Sequence, residues 1–125
     1  MRVDSTHFPL VRLDHAPENA DNTETVLADM SALLAREQPF VYIASGGFDQ
    51  GEPDIDERRL VASWMKANKP AIVKLIKAHL HITANDEEQR NAEAFSRFFE
   101  NFWGYPMLIV SNTAEAEAKA SELLR

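Results

Sequence analysis

Cysteine is absent from all 125 residues, which removes disulfide bridges, thiolate metal sites and cysteine nucleophiles from consideration. Basic charge is scarce: 13 Lys and Arg stand against 20 Asp and Glu, a formal net charge of -7. The long-range field of such a chain repels phosphate backbones and anionic headgroups, so nucleic acid is not an expected partner. Long apolar runs are also missing. Nothing approaches the ~18 to 20 consecutive apolar residues of a membrane span, and the opening Met1-Arg2-Val3-Asp4-Ser5-Thr6-His7 lacks the apolar h-region of a secretory signal. The expected setting is the cytoplasm, with no transmembrane segment.

What is present is enough apolar material, 45% of residues, to build a real core within one domain spanning 1–125. Four segments begin with an Asp or Asn followed three residues later by Glu: Asp21 with Glu24, Asp54 with Glu57, Asn85 with Glu88, and Asn112 with Glu115. Each pair predicts a capped helix start, the first side chain accepting from an orphan N–H and the Glu reaching back. Apolar periodicity follows each. Val26, Leu27, Met30, Leu33 and Leu34 give the first helix one buried face. Leu60, Val61, Trp64 and Met65 serve the second, which at Pro70 should kink or restart and run on for a turn or two over Ala71 to Lys77. Phe95, Phe98, Phe99, Phe102 and Trp103 form an aromatic stripe on the third, stopped at Gly104. Ala116, Ala120, Leu123 and Leu124 serve the last.

A short apolar run precedes each helix: Phe8 to Leu13, Phe40 to Ala44, His79 to Thr83 and Tyr105 to Val110. The alternation predicts an α/β fold, with a mainly parallel sheet of about four strands and four principal helices. In the third run His79 and His81 share one face, which suggests an edge or lightly covered strand.

Several features invite a chemical reading, and each has a plainer one. Ser45-Gly46-Gly47 offers backbone N–H groups to an anion, yet it lacks the Lys-Ser/Thr of a P-loop and reads better as a turn. His79 and His81 could present two imidazoles to a metal, but no third ligand stands at a recognised spacing, so neither a metal nor a cofactor is expected. Ser45, His79 and Asp14 make a triad on paper, as abundant residue types always permit. The acidic run Asp49, Glu52, Asp54, Asp56 and Glu57 lacks an EF-hand register. The basic residues Lys66, Lys69, Lys74 and Lys77 read as a solvated helix face. The aromatic stripe of the third helix reads mostly as a core face on the sheet, but five large rings exceed the needs of one short helix, and the excess suits a lipid pocket or a homodimer contact.

The segments Phe8-Pro9-Leu10-Val11, Pro39-Phe40-Val41-Tyr42-Ile43, Trp64-Met65-Lys66-Ala67-Asn68-Lys69-Pro70 and Phe102-Trp103-Gly104-Tyr105-Pro106 resemble the SpoIIAA-like group of the STAS superfold, small α/β domains best known as anti-sigma factor antagonists. The resemblance implies a non-enzymatic module that binds another protein, with no catalytic residues. In the antagonists a Ser or Thr beside an Asp at the start of the second helix is phosphorylated. Here the segment from Ala44 to Ala62 holds one hydroxyl, Ser45, and the helix begins Asp54-Ile55-Asp56-Glu57. The expected partner-binding residues are Ser45, Gly46, Gly47, Phe48, Asp49, Asp54 and Asp56. A competing reading is a small enzyme, or a ligand or lipid binder, with Asp14, Ser45, Asn85 and Ser111 around a crevice at the carboxyl ends of the strands.

Overall fold

The computed structural model describes residues 1–14, 21–45 and 55–125. Its elements in chain order are β1 (Arg2–Asp4), β2 (Leu10–Asp14), α1 (Thr23–Ala35), β3 (Phe40–Ser45), α2 (Ile55–Leu75), β4 (Ile76–Ile82), α3 (Asp86–Trp103), β5 (Met107–Val110) and α4 (Thr113–Leu123). The strands form one sheet in the order β1-β2-β3-β4-β5. Strands β2 to β5 are parallel, whereas β1 runs antiparallel to β2, Val3 opposite Leu13. The α/β class and the four helices are as expected, but the sheet is mixed and has a fifth strand. A three-residue strand reading Arg-Val-Asp has no apolar run to betray it.

Each crossover from β2 to β5 moves the chain one strand further in the same direction. Right-handed crossovers then place their helices on one face, and α1, α2 and α3 share a single core there. Val26, Met30, Leu33, Ile72 and Phe99 pack in it against Val11, Phe40, Tyr42 and Met107. The opposite face is covered by α4, whose Ala116 and Ala120 pack with Val41, Ile43, Ala78, Leu80 and Val110. Both alanines are fully buried, so α4 lies close on the sheet, as a narrow buried face dictates.

Helix ends follow the cap chemistry with one shift. Asn85 Oδ1 accepts from Glu88 N at 2.9 Å, and Asn112 Oδ1 accepts from Glu115 N at 2.8 Å. Glu88 and Glu115 reach back to the backbone N–H groups of Ala84 and Ser111, one residue before the caps themselves. At α1 the cap is Asn22, accepting from Thr25 N at 2.7 Å, in place of the expected Asp21: two adjacent residues can each cap, and sequence does not choose between them. Asp54, expected to cap α2, lies outside the described residues.

α3 ends at Gly104, whose φ of 91° is left-handed and whose N–H bonds the Glu100 carbonyl at 2.8 Å. A Cβ there would sit 3.0 Å from Val73 Cγ2 and 3.1 Å from Lys69 Nζ. Gly104→Ala should therefore cost about 1–2 kcal/mol from the left-handed backbone, with crowding against Val73 added. A denaturant titration with an unchanged midpoint would show that the turn relaxes.

Three expectations are corrected. The helical turn expected after Pro70 is present but ends at Leu75, two residues short of Lys77, and β4 starts at once at Ile76, ahead of the expected His79; Ile72, Leu75, Ile76 and Ala78 are all buried, with no turn residue among them to mark the change. β4 is interior, between β3 and β5, so His79 and His81 are not on an edge. Between Phe40↔Ile76 and Tyr42↔His79 the register shifts, β4 taking three residues where β3 takes two. That bulge turns Ile76, His79 and His81 toward the same face. Finally, the aromatic stripe of α3 is not one buried face. Phe99 is buried and Trp103 half-buried, while Phe95, Phe98 and Phe102 are exposed.

Candidate functional site

Because β2 to β5 are parallel, their carboxyl ends define one edge, and Asp14, Ser45, Asn85 and Ser111 all lie along it. Asp14 and Ser45 are next to each other: the β2/β3 register pairs Leu13 with Ala44, and the following residue of each strand continues that row. Ser45 in turn pairs with Ile82 of β4. The four do not converge. Strands stand about 4.8 Å apart, so the ends of β2 and β5, three spacings apart, are separated by roughly 14 Å. Asn85 is also engaged, its Oδ1 by Glu88 N and its Nδ2 by Glu88 Oε2 at 3.3 Å. The strand order from β2 to β5 never reverses, so the fold lacks the switch point at which open α/β sheets part their loops around a ligand.

The paper triad is separated by strand parity. Leu13 and Ala44 pack in the core beneath α1, α2 and α3, so Asp14 and Ser45 take the opposite parity. His79 lies on the α3 side, its ring 5.3 Å from that of Phe99. It is paired with Tyr42 in mid-strand, three β3 positions short of Ser45. His79 is therefore not directed at the Ser45 hydroxyl.

His79 and His81 instead form a buried pair. They are 5% and 0% exposed, their rings stack at 5.6 Å and 13°, and His79 Nε2 lies 3.4 Å from His81 Nδ1. One ring must carry the shared proton and the other offer a lone pair. Around them is an aromatic wall: Tyr105 is 5.4 Å from Phe99 and 6.1 Å from Tyr42. Burial pushes both phenols well above the ordinary tyrosine value, Tyr105 further raised by Tyr42 beside it. The Tyr42 hydroxyl is buried with no hydrogen-bond partner among the described residues. Among those residues no group of three His, Asp or Glu side chains is placed to hold a metal ion.

Open surface lies elsewhere. A groove of about 420 Å³ runs between α1 and α2, lined by Glu24, Leu27, Ala28 and Ser31 on one side and Leu60, Ser63 and Trp64 on the other. Trp64 Nε1 donates to Ser31 Oγ at 2.8 Å and fixes the groove floor. Leu60, an expected core position of α2, is exposed, as is Ile55 at the helix start. Of the expected partner-binding residues, Ser45 and Asp56 are described and both are exposed at the ends of β3 and the start of α2. Gly46, Gly47, Phe48, Asp49 and Asp54 lie outside the described residues. The groove itself was not anticipated, because Leu60 and Trp64 carry the same apolar signal whether they seat a helix or line a cleft. No helix of the described residues is long and apolar enough to cross a membrane. In comparisons of sequence and structure, no family model matches the chain, nor does any curated protein or solved structure.

Proposed function

We propose that this chain is a non-enzymatic regulatory module of the SpoIIAA-like kind, which docks a protein partner on the first half of α2 and the groove beside it. The observation that carries this reading is the groove, apolar at Leu27, Ala28, Leu60 and Trp64, with Leu60 itself 39% exposed. An apolar cleft rimmed by Glu24, Ser31 and Ser63 suits one face of an amphipathic segment, whose apolar side chains take the cleft and whose polar ones meet the rim. The resembling segments support the family reading by their places: Phe8 to Val11 enters β2, Pro39 to Ile43 enters β3, and Phe102 to Pro106 enters β5. Trp64 to Pro70 departs from it by continuing as helix. Asp56 and Glu57 in the first turn of α2 put fixed negative charge at the positive end of the helix dipole. The module thus runs without a phosphorylated hydroxyl on that turn, and any partner meets a permanently acidic helix start.

Leu60→Asp tests the assignment. Leu60 is 39% exposed, so the substitution should cost about 1–2 kcal/mol from partial burial and helix propensity, read by a denaturant titration, while a carboxylate in the groove should abolish partner capture from an extract of the source cell. Capture of the same protein by wild type and Leu60→Asp alike would sink the groove. A turnover activity that Ser45→Ala destroys would sink the module reading altogether.

A further inference from the structure

We infer that the exposed aromatic face of α3 is a self-association surface, seating the α3 of a second copy of this chain in antiparallel orientation about Phe98. The inference is independent of the α1/α2 groove. It starts from a helix with more apolar surface than its seat can take. Ala92 and Phe99 are buried against the sheet, yet Phe98 is 73% and Phe102 54% exposed, and Phe95, Phe98 and Phe102 recur at i, i+3 and i+7 on one stripe. The apolar surface continues onto α2, where Val73 is 53% exposed beside the Gly104 turn. A contiguous aromatic patch of this kind marks an interaction site.

Charge decides the occupant. The stretch 58–85 carries Arg58, Arg59, Lys66, Lys69, Lys74 and Lys77 with no Asp or Glu, whereas α3 opens Asp86-Glu87-Glu88. Lys69 Nζ reaches the Phe102 carbonyl at 3.4 Å, so the basic half of α2 stands beside the C-terminal end of α3. The stripe therefore runs from an acidic end, through three phenylalanines, to a basic end. A two-fold axis at Phe98 lays acid on base at both ends, the self-complementarity that an isologous contact requires. The lengths agree. At 1.5 Å per residue, Glu87 and Glu88 lie roughly 15 Å from Phe98. In the opposite direction, Lys69 is level with Phe102, and Lys74 is about 7 Å beyond it. The second copy's Glu87 and Glu88 thus come level with Lys74 to within a helical turn. An anionic membrane surface fits less well, since α3 places Asp86, Glu87, Glu88, Glu93 and Glu100 against only two arginines.

The test is the mass of the protein in solution by sedimentation across a concentration series. Wild type should move from monomer to dimer, and Phe98→Asp should raise the dissociation constant by ~30-fold or more, as loss of a central aromatic does, with an unchanged helical circular dichroism spectrum. Orientation is read by charge exchange. Glu87→Lys and Lys74→Glu should each associate poorly alone and form a one-to-one dimer when mixed. A wild type that stays monomeric at its highest attainable concentration overturns the inference, as does a Phe98→Asp dimer of undiminished strength. Failure of the mixed pair to associate overturns the antiparallel register. A monomeric protein whose Phe98-dependent binding is instead to phosphatidylserine vesicles assigns the face to a membrane surface.

Discussion

Phe99→Ala is expected to destabilise the protein by about 3–5 kcal/mol, while Phe98→Ala, one position away on the same helix, should change stability by no more than about 0.5 kcal/mol. Phe99 is 7% exposed and its ring meets His79 at 5.3 Å, Phe95 at 5.9 Å, Trp103 at 6.1 Å and Tyr105 at 5.4 Å. Its removal leaves a cavity walled by rings and a strand that cannot close in. Phe98 loses only solvent-facing surface in the monomer. Urea titrations of the two variants at a concentration where the protein is monomeric decide the matter. Equal losses would mean that the whole stripe is seated, and two small losses would mean that α3 repacks around a missing ring.

The second large effect is on the alkaline side. The chain has two tyrosines, and both are buried, Tyr42 at 1% and Tyr105 at 5% exposure. Burial raises both folded pKa values above the ordinary value of about 10. In that situation the unfolded chain releases protons before the folded one does. The stability contribution is then complete below about pH 10 and is lost as pH rises, by about 1.4 kcal/mol per pH unit for each tyrosine. Tyrosinate absorbance should appear together with the loss of helical circular dichroism, since neither phenol ionises in place. Tyr42→Phe should roughly halve the slope and also relieve the desolvated hydroxyl, stabilising the protein by about 1 kcal/mol at neutral pH. Tyrosinate that forms while the helices persist would place one phenol in contact with water.

Sequence carried most to the elements whose burial depends on their own pattern. α1 is the clearest: Val26, Leu27, Met30, Leu33 and Leu34 were read as one face, and all five are buried. Asn85 and Asn112 were legible because a cap is local chemistry, settled within four residues. What failed needed a neighbour. His79 and His81 alternate with Leu80 and Ile82 as polar residues of a surface strand would, but here the two buried imidazoles lie against each other and His79 also packs on Phe99 of α3. The bulge in β4 leaves no trace in composition. The rings of α3 show that apolar periodicity gives the width of a stripe without saying how much of it another element covers. At the candidate site, Asp14, Ser45, Asn85 and Ser111 lie at or just after the carboxyl ends of four strands. Their separation follows from a strand order that no local pattern encodes.

That order bears on how the molecule is made. Among the described residues each strand after β1 pairs with the one synthesised just before it: β2 with β1, β3 with β2, β4 with β3 and β5 with β4. No strand has to be inserted between two already paired, and no early strand waits at an open edge for a late partner. The sheet can grow at one side only, by accretion, as the chain leaves the ribosome, each new strand bringing the helix that roofs the previous gap. Among the described residues only α4 breaks the rhythm, packing on the opposite face of the sheet after all five strands are made. Until α4 docks, Val41, Ile43, Ala78 and Leu80 lack the cover of Ala116 and Ala120, so the arrival of that helix is what quiets an aggregation-prone nascent sheet.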